Sequence, residues 1–121
     1  MLHAAAARGQ LEMVRELLKR GASVDLPGSL GGTALMAAAG LGDLSILLVL
    51  LQHSANPDLQ EIDGFTALMA AALGGDEACV NALLRAKASP DRVDEDGRTA
   101  LMKAAIKGHE ACVQALSLIH I

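Results

Sequence analysis

Two kinds of apolar block alternate along this chain. One is short and alanine-rich, as in Ala34-Leu35-Met36-Ala37-Ala38-Ala39 and Ala67-Leu68-Met69-Ala70-Ala71-Ala72; the other is longer and carries branched residues at helical spacing, such as Leu11, Val14, Leu17 and Leu18, or Leu44, Leu47, Leu48 and Leu51. Both patterns predict helices. Each alanine-rich block follows a threonine, Thr33, Thr66 or Thr99. A threonine there is a good N-cap, because its hydroxyl accepts from the exposed amides of the first turn. The first helix of each pair is expected to end near Gly40, Gly74 and Lys107, where a following glycine permits a tight turn into the second. After the second helix come Ala-x-x-Asp segments and glycine-bearing turns such as Asp94-Glu95-Asp96-Gly97. These fit short hairpin-like connections to the next threonine.

The pattern repeats at a fixed interval. Thr33-Ala34-Leu35-Met36, Thr66-Ala67-Leu68-Met69 and Thr99-Ala100-Leu101-Met102 are each 33 residues apart. The same interval separates Gly9, Gly42, Gly75 and Gly108, and again Leu17, Leu50, Leu83 and Leu116, without an insertion. A single helix pair of this size cannot bury its apolar face alone, so the period implies an all-α solenoid in which neighbouring pairs cover one another.

Asp94-Glu95-Asp96-Gly97-Arg98-Thr99-Ala100-Leu101-Met102, with Gly108-His109, Cys112-Val113 and Leu116 behind it, resembles the ankyrin repeat across almost the whole chain. The resemblance implies a single domain of stacked helix-turn-helix units joined by β-hairpin-like loops, in repeats 1–27 (partial), 28–60, 61–93 and 94–118 (partial). Several positions depart from the family pattern. Its proline at the first helical position is Ala34, Ala67 and Ala100, and its histidine survives only at His3, being Met36, Met69 and Met102 elsewhere. A thioether cannot replace that donor, so looser coupling between repeats is expected. The glycine after the second helix is kept at Gly21 but is Ser54 and Lys87 in the next copies, where a left-handed backbone costs on the order of 1 kcal/mol. Ser117 to Ile121 breaks the pattern and reads as an atypical, extraneous ending. Met1 falls at a helix start, so a piece of a longer array, with further repeats of the same parent chain and apolar end faces, is expected.

Composition agrees with this architecture. Of 121 residues, 52% are apolar and only one, Phe65, is aromatic, which disfavours a sandwich or barrel of bulky alternating residues. Ten Lys and Arg against fourteen Asp and Glu give a net charge of −4. Between Gly21 and Leu84 there is no Lys or Arg, whereas Asp25, Asp43, Asp58, Glu61, Asp63, Asp76 and Glu77 fall there. Such a surface repels phosphate backbones, so no nucleic acid is expected as a partner, and it suits a basic or apolar protein. The apolar stretch from Ala34 to Leu51 is interrupted by Gly40, Gly42, Asp43 and Ser45. A charge near a bilayer centre costs about 2.5–3.5 kcal/mol, so no membrane insertion is expected. Two cysteines make no secreted disulfide framework and there is no signal-like opening, which points to the cytoplasm or nucleus.

No catalytic constellation, cofactor or metal is expected. Cys79 and Cys112 sit 33 residues apart with His109 nearby, but each lies on the packed side of its helix and reads as a small buried hydrophobe rather than a zinc ligand. A calcium loop placed on Gly97 would put Arg92 and Lys103 where carboxylates are required. Gly40-Leu41-Gly42 lacks the rest of any nucleotide-binding loop, and no Ser/His/Asp set is apparent.

A binding surface remains. The resemblance implies partner contacts from the hairpin tips and the inner side of the first helices. There the chain offers Leu30, Ile62, Asp63, Phe65, Asp96 and Arg98 from the tips, and Leu41, Leu73, Ile106 and Lys107 from the helices. Apolar residues at exposed positions mark interaction sites, with Phe65 as the expected central anchor; the alternative is that they fill gaps between neighbouring hairpins. The function expected is a non-enzymatic scaffold docking another protein on its concave face. Its rivals are a targeting or regulatory segment of a larger enzyme or channel, and a structural spacer.

Overall fold

A computed structural model of the chain describes residues 1–118. They form four helix pairs: α1 (Leu2–Ala7) with α2 (Leu11–Lys19), α3 (Ala34–Leu41) with α4 (Leu44–Gln52), α5 (Ala67–Gly74) with α6 (Glu77–Arg85), and α7 (Ala100–Lys107) with α8 (Glu110–Leu118). Among the described residues there is no strand. The expected all-helical stack is therefore the observed one. Ser117 and Leu118 continue α8, and the remainder of the atypical ending, 119–121, lies outside the described residues.

The threonines cap their helices as their position predicts. Thr33, Thr66 and Thr99 accept through Oγ1 from the backbone N–H groups of Met36, Met69 and Met102 at 3.3, 3.2 and 3.3 Å. Asp43 and Asp76 do the same for α4 and α6, accepting from Ile46 and Cys79. At the other end of α3, α5 and α7 the chain reverses through Gly42, Gly75 and Gly108, with φ of 76, 75 and 74°. The next reversal, after each second helix, also needs positive φ: 90° at Gly21, but 66° at Ser54 and 72° at Lys87. These two side chains sit where glycine carries no penalty.

Alanine sets the layer geometry. Ala38, Ala39, Ala71, Ala72 and Ala104 are fully buried, and with no side chain beyond Cβ they let α1, α3, α5 and α7 pack more closely on one another than the leucine-bearing α2, α4, α6 and α8 do. The tighter first-helix layer makes the inner, concave side of the stack. Between the layers lies one core, with Val14, Leu47 and Val80 from one repeated position and Leu50, Leu83 and Leu116 from another. Leu48, which shares the helical spacing of Leu44, Leu47 and Leu51, is exposed. Ser45 and Gln52, the two polar residues of α4, lie one turn to either side of it on the same exposed stripe, and the 33-residue repeat aligns it with the polar Arg15, Asn81 and Gln114.

The connections are narrow hairpins closed by Gly28 N–H to Gly32 O, Glu61 N–H to Phe65 O, and Asp94 N–H to Arg98 O. Adjacent tips are tied together by Ile62 N–H to Leu30 O at 3.0 Å and Glu95 N–H to Asp63 O at 2.9 Å. At Gly64 the next hairpin comes so near that a Cβ would stand 2.9 Å from Asp94 Cα. A second tie explains the recurring aspartate: Asp25 accepts from the Asn56 N–H and Asp58 from the Ser89 N–H, each one repeat along.

Candidate interaction face

The hairpin tips and the first-helix ends expose a set of apolar side chains. Ile62 (73% exposed) and Leu30 stand on the tips; Leu41 on α3, Leu73 on α5 and Ile106 on α7 are exposed at the helix ends. Leu73 and Ile106 occupy the same repeat position, and Leu41 and Lys107 the next one. Asp63, Asp96, Arg98 and Lys107 are exposed around them, and Glu95 adds a further carboxylate at the third tip.

Phe65 departs from the expectation of an exposed anchor. It is half-buried and packed against the core, and its ring carries the Lys103 ammonium 4.1 Å from the centroid. The physical reason is a lysine from the next repeat. Lys103 is 7% exposed, and its Nζ donates to Asp94 Oδ2 at 2.6 Å. Asp94, equally buried, accepts through Oδ1 from the N–H groups of Asp96 and Arg98. The charge is therefore enclosed between a carboxylate and an aromatic face, which together compensate its removal from water. The hydrogen bond from Lys103, reinforced by the Arg98 and Asp96 amides, holds the Asp94 carboxyl below the usual carboxylate range although burial opposes it.

Sequence reasoning missed this cluster, and the signal was present. Lys103 occupies the position of Ala4, Ala37 and Ala70, a slot facing the close first-helix contacts, where a long cation needs a partner inside the fold. His109, weighed in sequence only as a repeat residue or a companion of the cysteines, has a structural contact of its own. Its Nε2 is 3.1 Å from the Leu73 carbonyl, and its ring fills the space beside Gly75, tying α8 to the preceding turn.

Cys79 and Cys112 are fully buried free thiols. Burial first, and then Asp76, pushes Cys79 up to about 12, and burial with Glu77 and Asp76 raises Cys112. Both are neutral at physiological pH. Among the described residues no three His, Cys, Asp or Glu side chains converge as a metal ion would require, and no helix is long and apolar enough to cross a membrane.

The family model for ankyrin repeats (3 copies) matches residues 1–61 and, overlapping them, 41–120. No curated protein matches the chain.

Proposed function

The chain belongs to the ankyrin-repeat family, whose members are generally protein–protein interaction modules, and from that premise we propose that it is a non-enzymatic scaffold that docks a protein segment on its concave face. The observation that carries this reading is the row of exposed apolar side chains Leu30, Ile62, Leu41, Leu73 and Ile106. Leu73 and Ile106 recur at one repeat position, and exposed apolar side chains gathered in this way mark interaction sites. Acidic tips at Asp63, Glu95 and Asp96, and a stretch without Lys or Arg from Gly21 to Leu84, favour an occupant that offers apolar side chains flanked by basic ones. Arg98 and Lys107 mark one end of the acidic zone, and Arg8, at the repeat position of Leu41 and Lys107, the other. Phe65 borders the face, and Ile62 takes the anchoring role.

Two buried, protonated thiols suit a reducing compartment and support residence in the cytoplasm or nucleus. The test is selection of peptides from a random display library against the folded chain. Selected peptides should combine apolar and basic residues, and Ile62→Ala with Leu73→Ala should weaken them about tenfold or more while leaving the helical melt in place. Acidic winners, or peptides that bind the double variant equally well, would overturn the reading.

A further inference from the structure

One repeat before the Lys103 cluster, all three of its members are replaced. Lys103 corresponds to Ala70, Asp94 to Glu61, and Phe65 to Gly32. The acid is kept; the cation and the ring are not. In their place is a cavity of about 270 Å³ whose walls include Ala70, Glu61 and Gly32, with His3, Met36 and Phe65 among the others. A neighbouring hollow shares His3, Gly32 and Glu61 and reaches Leu30 on the hairpin tip. The cavity is thus the site of Lys103 shifted by one repeat, with the lysine missing and continuous with the row of exposed apolar residues.

We propose that this cavity takes a lysine side chain of the docked polypeptide, its ammonium paired with the Glu61 carboxylate. The proposal rests on the docking reading and gives the occupant its chemistry. The molecule itself supplies the template: at the equivalent position it holds an ammonium 2.6 Å from an acid and 4.1 Å from an aromatic centroid. Met36, Ala37 and Ala70 offer an apolar wall for the methylene stem, as lysines bury their stems while the charged head finds a polar partner. Glu61 pairs with no cation of its own chain among the described residues. The basic residue lining the cavity is His3, whose Nε2 stands 3.4 Å from where a Cβ on Gly32 would be and which closes the α1 side.

The test titrates the whole chain with Nα-acetyl-lysine methylamide and, separately, with the uncharged norleucine analogue, following amide chemical shifts. The lysine probe should move Gly32, Phe65, Thr66 and Ala70, and the norleucine probe should not. Glu61→Gln should weaken the lysine probe about tenfold, the usual effect of losing a charged hydrogen-bond partner. Ala70→Lys should place an ammonium against Glu61 from within the chain, as Lys103 stands against Asp94, and exclude the probe. Glu61 uses only its backbone in hydrogen bonds, so Glu61→Gln keeps the test decisive if Ala70→Lys does not fold. Ile62→Ala with Leu73→Ala should leave the lysine probe unaffected, so failure of the docking row and failure of the pocket are separately visible. Shifts scattered over the surface, equal binding of both probes, or undiminished binding to Glu61→Gln would overturn the proposal.

Discussion

Replacing Ser54 and Lys87 by glycine should stabilise the protein. Both residues hold φ near 70°, in the turn where the first repeat has Gly21, and neither side chain is buried or hydrogen-bonded to the chain. The left-handed conformation costs a residue with a Cβ about 1–2 kcal/mol. Glycine returns part of that, about 0.4–1 kcal/mol, through the greater freedom of its unfolded chain. The net gain is about 0.5–1 kcal/mol per site. The two turns are a repeat apart and share no partner, so the double variant should gain about 1–2 kcal/mol. For a domain of this size that raises the melting midpoint by about 4–8 °C. Urea denaturation followed by far-ultraviolet circular dichroism measures it, with an unchanged m-value showing that only stability moved. Gly21→Ala is the mirror experiment. A Cβ there meets nothing within 4 Å, so its loss of about 0.5–1 kcal/mol reports conformation alone. A double variant no more stable than the parent, or a Gly21→Ala protein as stable as the parent, would refute the conformational explanation.

Lys103→Met should lower the midpoint, because it leaves the buried Asp94 carboxylate without its ammonium, and adding Asp94→Asn should recover part of the loss. The folded pKa of Asp94 is depressed, so its stabilisation is fully present above the ordinary carboxylate pKa of about 4 and is lost as pH falls through the lower folded value. The gap between parent and Asp94→Asn in urea midpoint should therefore be constant from neutral pH down to about pH 5 and close below about pH 4; a gap that closes near neutrality would contradict this. Cys79 and Cys112 should resist a thiol reagent at pH 7.5 and react in stoichiometric amount once urea unfolds the chain. Rapid labelling of the native protein would show that α6 and α8 open readily.

Much of the fold was legible in the sequence because the repeat tests each position against its copies. Thr33, Thr66 and Thr99 recur as caps, and Ser54 and Lys87 betray themselves by standing where the first repeat has glycine. Apolar spacing within one copy tells less: Leu48 shares the pattern of Leu44, Leu47 and Leu51 yet is exposed, as the polar residues at its equivalent positions indicate. The surroundings of Phe65 are hard to read from sequence for a related reason. Its environment is made by Lys103, 38 residues later in sequence but the next layer in space, and a repeat-by-repeat alignment shows equivalence within a column without showing which columns touch. The same contact supplied what sequence reading lacked, a filled version of the cavity left open between Gly32, Glu61 and Ala70.

The docking face is tested most directly by its footprint. Hydrogen–deuterium exchange of the chain, alone and saturated with a peptide selected against it, locates the occupied surface without assuming which residues bind. Protection should fall on the hairpin tips around Leu30, Ile62 and Asp96 and on the adjoining ends of α3, α5 and α7, in a band crossing the repeats. Protection confined to α2, α4 and α6 would place the partner on the opposite side of the stack and contradict a concave docking face.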